Sequence, residues 1–285
     1  MRRLLITGAN GMLGSAVQQY LKDDFEIIAA SRNELNIQDF ASAKAYLKKL
    51  QPHLVLHAAA YTNVEEAERQ PQECYSVNYN GTLNLINAAK GFSHKFIYIS
   101  STGNYGFGKT EPYAEYDEVM PPTVYHKSKY LGEKAVQELC ADFLVLRTGW
   151  LFGGSTEHKK NFVYNRFIEA MSKDEMFSDP FQTGNPTNTS DVARQIKKLI
   201  DEEVVGTFNV VSEGNCTRYE YVKEIVSTYG LNCVVKPTDK PFERLAKVSP
   251  NEAAVNFNLT QMGLNVMPHW KDSLHHYINS IQQHA

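Results

Sequence analysis

Tyr125 and Lys129 stand four residues apart in the run Tyr125-His126-Lys127-Ser128-Lys129, just after Pro121-Pro122. That spacing puts a phenol and an ammonium on one face of a helix, and prolines suit the residues that lead into one. A phenol with a pKa near ~10 is a poor acid–base group at neutral pH. A neighbouring ammonium favours the phenolate and brings the phenol closer to a working range. Upstream, Ile99-Ser100-Ser101-Thr102-Gly103 closes an apolar run with hydroxyls, and Ser101 is the third member expected beside the pair.

Chemistry of this kind needs a bound reagent, and the N-terminus supplies a place for one. Thr7-Gly8-Ala9-Asn10-Gly11-Met12-Leu13-Gly14 has a glycine at every third position. Gly8 permits a tight turn, Gly11 lets the backbone approach a pyrophosphate, and Gly14 lets helix and strand pack closely. The helix that starts here turns its unpaired N–H groups, from the segment of Asn10, Met12 and Leu13, toward phosphates. The spacing departs from G-x-G-x-x-G, but the strand before and helix after are those the dinucleotide fingerprint requires. At the end of the second apolar run an acidic residue would bind the adenosine ribose and favour NAD. This chain has Ala29-Ala30-Ser31-Arg32 instead. Arg32 can pair with a 2′-phosphate and Ser31 can donate to it, which selects NADP ahead of NAD. Lys129 can also hold the nicotinamide ribose.

These groups need elements to position them. Leu4 to Thr7, Glu26 to Ala30, Leu54 to His57, Phe96 to Ser100 and Phe143 to Arg147 are short apolar runs that predict buried parallel strands. Between them Met12 to Leu21, Phe40 to Leu50, Tyr75 to Ala89 and Val124 to Leu139 predict helices. Such alternation implies βαβ units and an α/β, Rossmann-type doubly wound parallel sheet. After Trp150 helices are expected at Phe162 to Met171, Asp191 to Ile200, Arg218 to Tyr229 and Trp270 to Ile281, with strands at Thr207 to Val211 and Cys233 to Lys236. Residues 1–150 are therefore expected to form an NADP-binding domain, to which later segments can return. Residues 151–285 are expected to form a smaller substrate-binding domain.

Composition excludes other classes. The 285 residues carry a formal net charge of -3, which gives no reason to expect a nucleic-acid or membrane partner. The four cysteines, Cys74, Cys140, Cys216 and Cys233, show no metal-ligand spacing, and no metal is expected. The histidines, including His53, His57 and His269, show none either and read as structural or exposed. No signal peptide or membrane span is visible, so the expected location is cytoplasmic. A homodimer is the default expectation.

Gly8, Gly11 and Gly14 with Ser101, Tyr125 and Lys129 resemble the extended short-chain dehydrogenase/reductase superfamily. More narrowly, the chain is similar to the dTDP-4-dehydrorhamnose reductase family. The likeness runs through His57-Ala58-Ala59-Ala60-Tyr61-Thr62-Asn63-Val64 with Glu68, Tyr75-Ser76-Val77-Asn78, Gly81-Thr82, Pro112-Tyr113-Ala114-Glu115, Gly132-Glu133, Arg147-Thr148-Gly149-Trp150 and Gln182 to Thr187. It thins after about Val211.

The resemblance implies hydride transfer from NADPH to the C4 ketone of a nucleotide-linked 6-deoxy sugar. Tyr125 would protonate the alkoxide, Lys129 would tune Tyr125, and Ser101 would hydrogen-bond the carbonyl oxygen. It implies cofactor contacts at Asn36, Ile37, Ala58, Ala59, Ala60, Tyr61 and Asn78 besides the glycine loop, Ser31 and Arg32. It implies substrate contacts at Thr102, Gly103, Trp150 and Asn161. Two departures bear on the sugar: the family usually carries Asp-Tyr where Thr102-Gly103 stand, and Asp where Phe181 stands. The serine strand end also resembles NAD-retaining sugar-nucleotide epimerases, and a non-catalytic NADP-binding regulatory subunit belongs to the same family likeness.

Overall fold

The structure, a computed structural model, describes residues 1–283. Its centre is a parallel sheet of six strands. Five come in order from the first half: β1 (Arg2–Thr7), β2 (Phe25–Ala30), β3 (Leu54–His57), β4 (Lys95–Ser101) and β5 (Phe143–Thr148). The sixth, β6 (Gly206–Asn209), is contributed from the second half and pairs with β5. The spatial order is β6-β5-β4-β3-β1-β2. Neighbours on the two sides of β1 are reached by crossovers in opposite directions, so a crevice opens at the carboxyl ends of β1 and β3, where such sheets bind ligands.

Side chains alternate between two apolar layers, as a pleated strand requires. Leu4, Ile6, Leu56, Ile97 and Leu146 face α1 (Met12–Leu21), while Leu5, Val55, Phe96, Tyr98 and Val145 face α2 (Phe40–Leu50) and the helices beyond it. The polar connection after β3 forms two short helices, α3 (Val64–Arg69) and α4 (Pro71–Tyr75). The stretch expected as one helix from Tyr75 to Ala89 is a π-helical turn at Ser76–Asn80 followed by α5 (Gly81–Ala89). Such π turns bring an extra residue into a helix and are common at functional sites. Here the turn carries Asn78. The long helix α6 (Val124–Leu139) closes the second layer.

Beyond β5, α7 (Phe162–Met171) precedes α8 (Thr189–Asp201), whose Val192, Ile196 and Leu199 join the first layer beside α1. Two later segments, α8 and β6, thus belong to the sheet sandwich. A second core forms where α7, α9 (Arg218–Thr228) and α11 (Trp270–Gln282) meet around Phe152, Tyr221, Ile225, Trp270 and Leu274, with the short α10 (Phe257–Gln261) between them in sequence. The strand expected at Cys233 to Lys236 is Val234–Pro237, paired in parallel with Glu175–Ser178 outside the main sheet. Among the described residues, no helix is long and apolar enough to cross a membrane.

Candidate active site

The glycine loop is built as its composition demands. Gly8 has φ 69°, a left-handed conformation that favours glycine, and a Cβ there would lie 2.7 Å from Ala59 N. A Cβ on Gly14 would lie 2.8 Å from Ala9 Cα. Gly11 caps α1 without any side-chain hydrogen bond, and the first turn holds no acidic residue. By contrast α2, α6, α7, α8 and α9 are capped by Asp39, Thr123, Asn161, Asn188 and Thr217. The bare N–H groups of α1 and the close backbone therefore fit a pyrophosphate. Asn10 lies exposed on this loop and Met12 is partly exposed, whereas the Leu13 side chain is buried in the core, so Leu13 has only its backbone to offer.

Beside the loop a cavity of about 220 Å³ is lined by Gly8, Arg32, Asn36, Ile37, Ala59, Ala60 and Tyr61, among others. It has the size and setting for an adenosine. Arg32 reaches Gln38 Oε1 at 3.4 Å, and its guanidinium is exposed at the cavity rim. Ser31 does not stay available as expected: Glu34 Oε2 accepts from its N–H at 2.9 Å and from its hydroxyl at 2.6 Å. Asn78 is also placed differently. It is fully buried, accepts the Tyr61 N–H at 2.8 Å, and donates to Tyr61 O at 3.1 Å and Ser128 Oγ at 2.9 Å. It therefore shapes the cavity wall through the Tyr61 backbone. Ala58, half-buried, continues the same wall from the end of β3.

Three ties set α6 against the end of β4. The Tyr98 hydroxyl donates to Lys129 O at 3.0 Å, Ser100 Oγ donates to Glu133 Oε2 at 2.7 Å, and Gly103 lies under the His126 ring. The strand end and the helix start thus run side by side, and Ser101 falls in sequence between two of the ties. Behind them Arg147 forms a buried ion pair with Glu133 at 2.5 Å and donates to the Tyr105 hydroxyl at 2.9 Å. The Tyr105 hydroxyl in turn donates to Asn209 Oδ1 at 2.9 Å. This chain of polar contacts locks β4, β5, β6 and α6 in one register.

Ser101 Oγ accepts the Gly103 N–H at 3.2 Å, which leaves its own proton free to donate. Burial pushes the Tyr125 phenol up, with the Cys74 and Glu252 charges adding to it. Burial pulls the Lys129 ammonium down to about 7 against the opposing pull of Glu133. Lys129 was expected to lower Tyr125. In the structure its ammonium lies over the Tyr98 ring, 4.1 Å from the centroid, and desolvation governs the phenol.

Of the four expected substrate contacts, Trp150 is partly exposed. Its indole N–H donates to Glu252 Oε2 at 2.9 Å, and the Arg218 guanidinium stacks 3.4 Å from its ring centroid. Trp150 has φ 38°, a left-handed backbone rare for a bulky residue. Thr102 is a correction: its hydroxyl is enclosed, packed toward Gly149. Gly103 is covered by His126. Asn161 is another correction. It is fully buried, caps α7 through Tyr164 N, and donates to the Tyr277 hydroxyl at 2.6 Å, so no polar atom remains for a sugar.

Sequence reasoning missed Glu252, Arg218 and His126. The Glu252 charge raises Tyr125, His126 and Arg218 alike. Arg218 donates to Gln182 Oε1 at 3.5 Å, and burial pulls its guanidinium down to about 10. No local motif marks any of the three.

A parallel sheet with a bare helix N-terminus at its crevice, a serine at the end of β4 and a tyrosine and lysine on the helix tied to that strand define a reductase-type dinucleotide fold of the extended short-chain dehydrogenase/reductase class. Residues 1–283 match the family described as RmlD substrate binding domain, and the chain belongs to that family. Among solved structures it is similar to a dTDP-4-dehydrorhamnose reductase from Clostridium acetobutylicum, with 33% identity, TM-score 0.94, and 98% of this chain and 99% of that one covered. It is likewise similar to the dTDP-4-dehydrorhamnose reductase from Bacillus anthracis in complex with NADP, with 30% identity, TM-score 0.93, and 98% and 100% covered. A third relative, the spore coat polysaccharide biosynthesis protein SpsK of Bacillus subtilis, is 28% identical over 280 residues, 98% of this chain and 97% of its own length.

Proposed function

We propose that this chain is an NADPH-dependent reductase that converts the C4 ketone of a nucleotide-linked 4-keto-6-deoxy sugar to an alcohol. What supports the reading is the junction of β4 and α6, where the Tyr98–Lys129 and Ser100–Glu133 hydrogen bonds hold the strand that ends at Ser101 against the helix that carries Tyr125 and Lys129. The relatives named as dTDP-4-dehydrorhamnose reductases, one of them holding NADP, support the same chemistry.

Bound NADPH supplies the hydride. Ser101 donates a hydrogen bond to the ketone oxygen and polarises it. Tyr125 then gives its proton to that oxygen as negative charge develops, so the ketone gains a hydride and a proton and leaves as the alcohol. A phenol raised by burial is fully protonated at neutral pH, the form this step needs. Lys129, held beneath by Tyr98, serves the nicotinamide ribose and meets the charge left on Tyr125. Gly8, Gly11 and Gly14 with the start of α1 would hold the pyrophosphate, and Arg32 the 2′-phosphate. Arg218, paired with a neutral glutamine and stacked on Trp150, is suited to the diphosphate of the sugar nucleotide.

Purified protein should oxidise NADPH only when a 4-keto-6-deoxy sugar nucleotide is added. Absence of turnover across dTDP-, UDP-, GDP- and CDP-linked 4-keto sugars would overturn the reading. Tyr125→Phe should lower kcat by about a hundredfold or more while NADPH binding is unchanged. Near-full turnover in that variant would remove Tyr125 from the acid role.

A further inference from the structure

His126 lies next to Tyr125, and its ring fills the space that a side chain at residue 103 would take. A Cβ on Gly103 would sit 2.8 and 2.9 Å from the ring atoms Cδ2 and Cε1. The absence of a side chain after the serine strand end is therefore matched by an imidazole brought in from α6. The ring is 3% exposed and stands edge-on to the Tyr125 ring, with centroids 5.1 Å apart.

Thr123 holds one edge of the ring. Thr123 Oγ1 accepts the His126 backbone N–H at 3.2 Å as the cap of α6, and lies 2.9 Å from His126 Nδ1. The threonine hydroxyl can give its one proton to Nδ1, the arrangement in which the ring proton sits on Nε2. Nε2 has no hydrogen-bond partner among the described residues and is not fully enclosed. A purely structural histidine in the same protein looks different. His57 is bonded at both nitrogens, to Thr7 Oγ1 at 2.7 Å and Thr82 Oγ1 at 3.1 Å. Burial lowers His126 while Glu252 and Glu68 raise it and Arg244 lowers it, which leaves the neutral ring favoured.

We propose that His126 is a specificity-determining residue whose Nε2–H donates a hydrogen bond to a sugar hydroxyl adjacent to the reacting ketone. The inference rests on the reductase reading above and deepens it. It assigns the pocket floor, left short of an aromatic ring by Gly103, a neutral donor that selects sugars with an acceptor at that place.

The test compares wild type with His126→Phe, which keeps a ring and loses the donor, and with His126→Gln, which keeps an N–H near the Nε2 position. Each is assayed with a 4-keto-6-deoxy sugar nucleotide and with an analogue lacking the hydroxyl beside the ketone. His126→Phe should raise KM for the hydroxylated substrate roughly tenfold with kcat little changed, should leave the deoxy analogue unaffected, and should be largely rescued in His126→Gln. Equal loss on both substrates, or none, overturns the proposal. Gly103→Ala is a second route: the added methyl must push the ring aside, so it should reproduce the KM effect with His126 still present. Calorimetric binding of the alcohol product reads the same contact without turnover, and unchanged affinity in His126→Phe also counts against it. Failure of wild type to turn over either substrate, with product affinity still lowered in His126→Phe, would sink the reductase reading and leave the contact standing. Wild type that neither turns over nor binds a sugar nucleotide would remove both.

Discussion

His57 shows what burial does to one titratable group. Wedged between Thr7 and Thr82, it is pulled down to about 3 by desolvation and by the nearby Lys129 charge. Its unfolded value is near ~6.5. Between those values the unfolded chain binds a proton that the native chain refuses, so stability must rise with pH across that window and fall as pH drops through it. The slope from this residue reaches about 1.4 kcal/mol per pH unit. Urea unfolding followed from pH 7 to 4 should show a steeper loss in wild type than in His57→Asn, and parallel curves would refute the assignment. At the same scale the sequence was informative where chemistry is local. Tyr125 and Lys129 share a helix, and Ser101 ends a strand, so all three could be placed by spacing. Glu252 could not be, because it meets Trp150 across 102 residues of chain. Thr102 and Asn161 were misplaced because motif likeness gives position without direction: one hydroxyl turns to Gly149 and one amide caps α7.

Elements add register. The Glu133–Arg147 pair joins α6 to β5 and, through Ser100 and Tyr105, to β4 and β6. Both side chains are nearly or fully buried, so removing one leaves the other charged and without its partner. Arg147→Met should cost about 3–5 kcal/mol in denaturant unfolding, and the double variant with Glu133→Gln should recover part of it. Equal stabilities of wild type and Arg147→Met would show that the network carries no weight. Strands β1, β3, β4 and β5 were legible because apolar runs buried on both faces leave a plain pattern. Helix α3 was not, since Ala67 is its one buried residue and Val-Glu-Glu-Ala-Glu-Arg shows no apolar stripe. The π turn at Ser76–Asn80 was invisible for another reason: it keeps helical periodicity on both sides and differs only in hydrogen-bond register.

At the scale of the whole molecule the two halves are interleaved. The run Thr207 to Val211 reads as a strand from sequence, and the strand forms at Gly206–Asn209, but nothing local says that it completes the sheet of the first half. The halves also meet at α3. Arg244 Nε donates to Glu65 Oε1 at 2.8 Å, and the Leu245 and Ala246 N–H groups donate to Glu65 Oε2 at 3.0 and 3.3 Å. Both side chains of the ion pair are about a third exposed, so the clasp adds little stability, within about 1 kcal/mol. Its effect should appear in binding. Arg244→Ala is expected to melt like wild type, to raise KM for the nucleotide sugar several-fold, and to be cut faster by proteases between residues 238 and 248. Unchanged KM and proteolysis would leave the clasp without a role.

The uncapped start of α1 reaches further than the cleft. A helix end whose amides have no side-chain partner is an unfinished part of the fold, completed by whatever anion settles there. Folding and coenzyme supply are then coupled by mass action: ligand at about a hundred times its Kd would add about 2.7 kcal/mol. In a cell the standing amount of this protein would then follow its coenzyme pool, with chains made during scarcity the first to be lost to proteases.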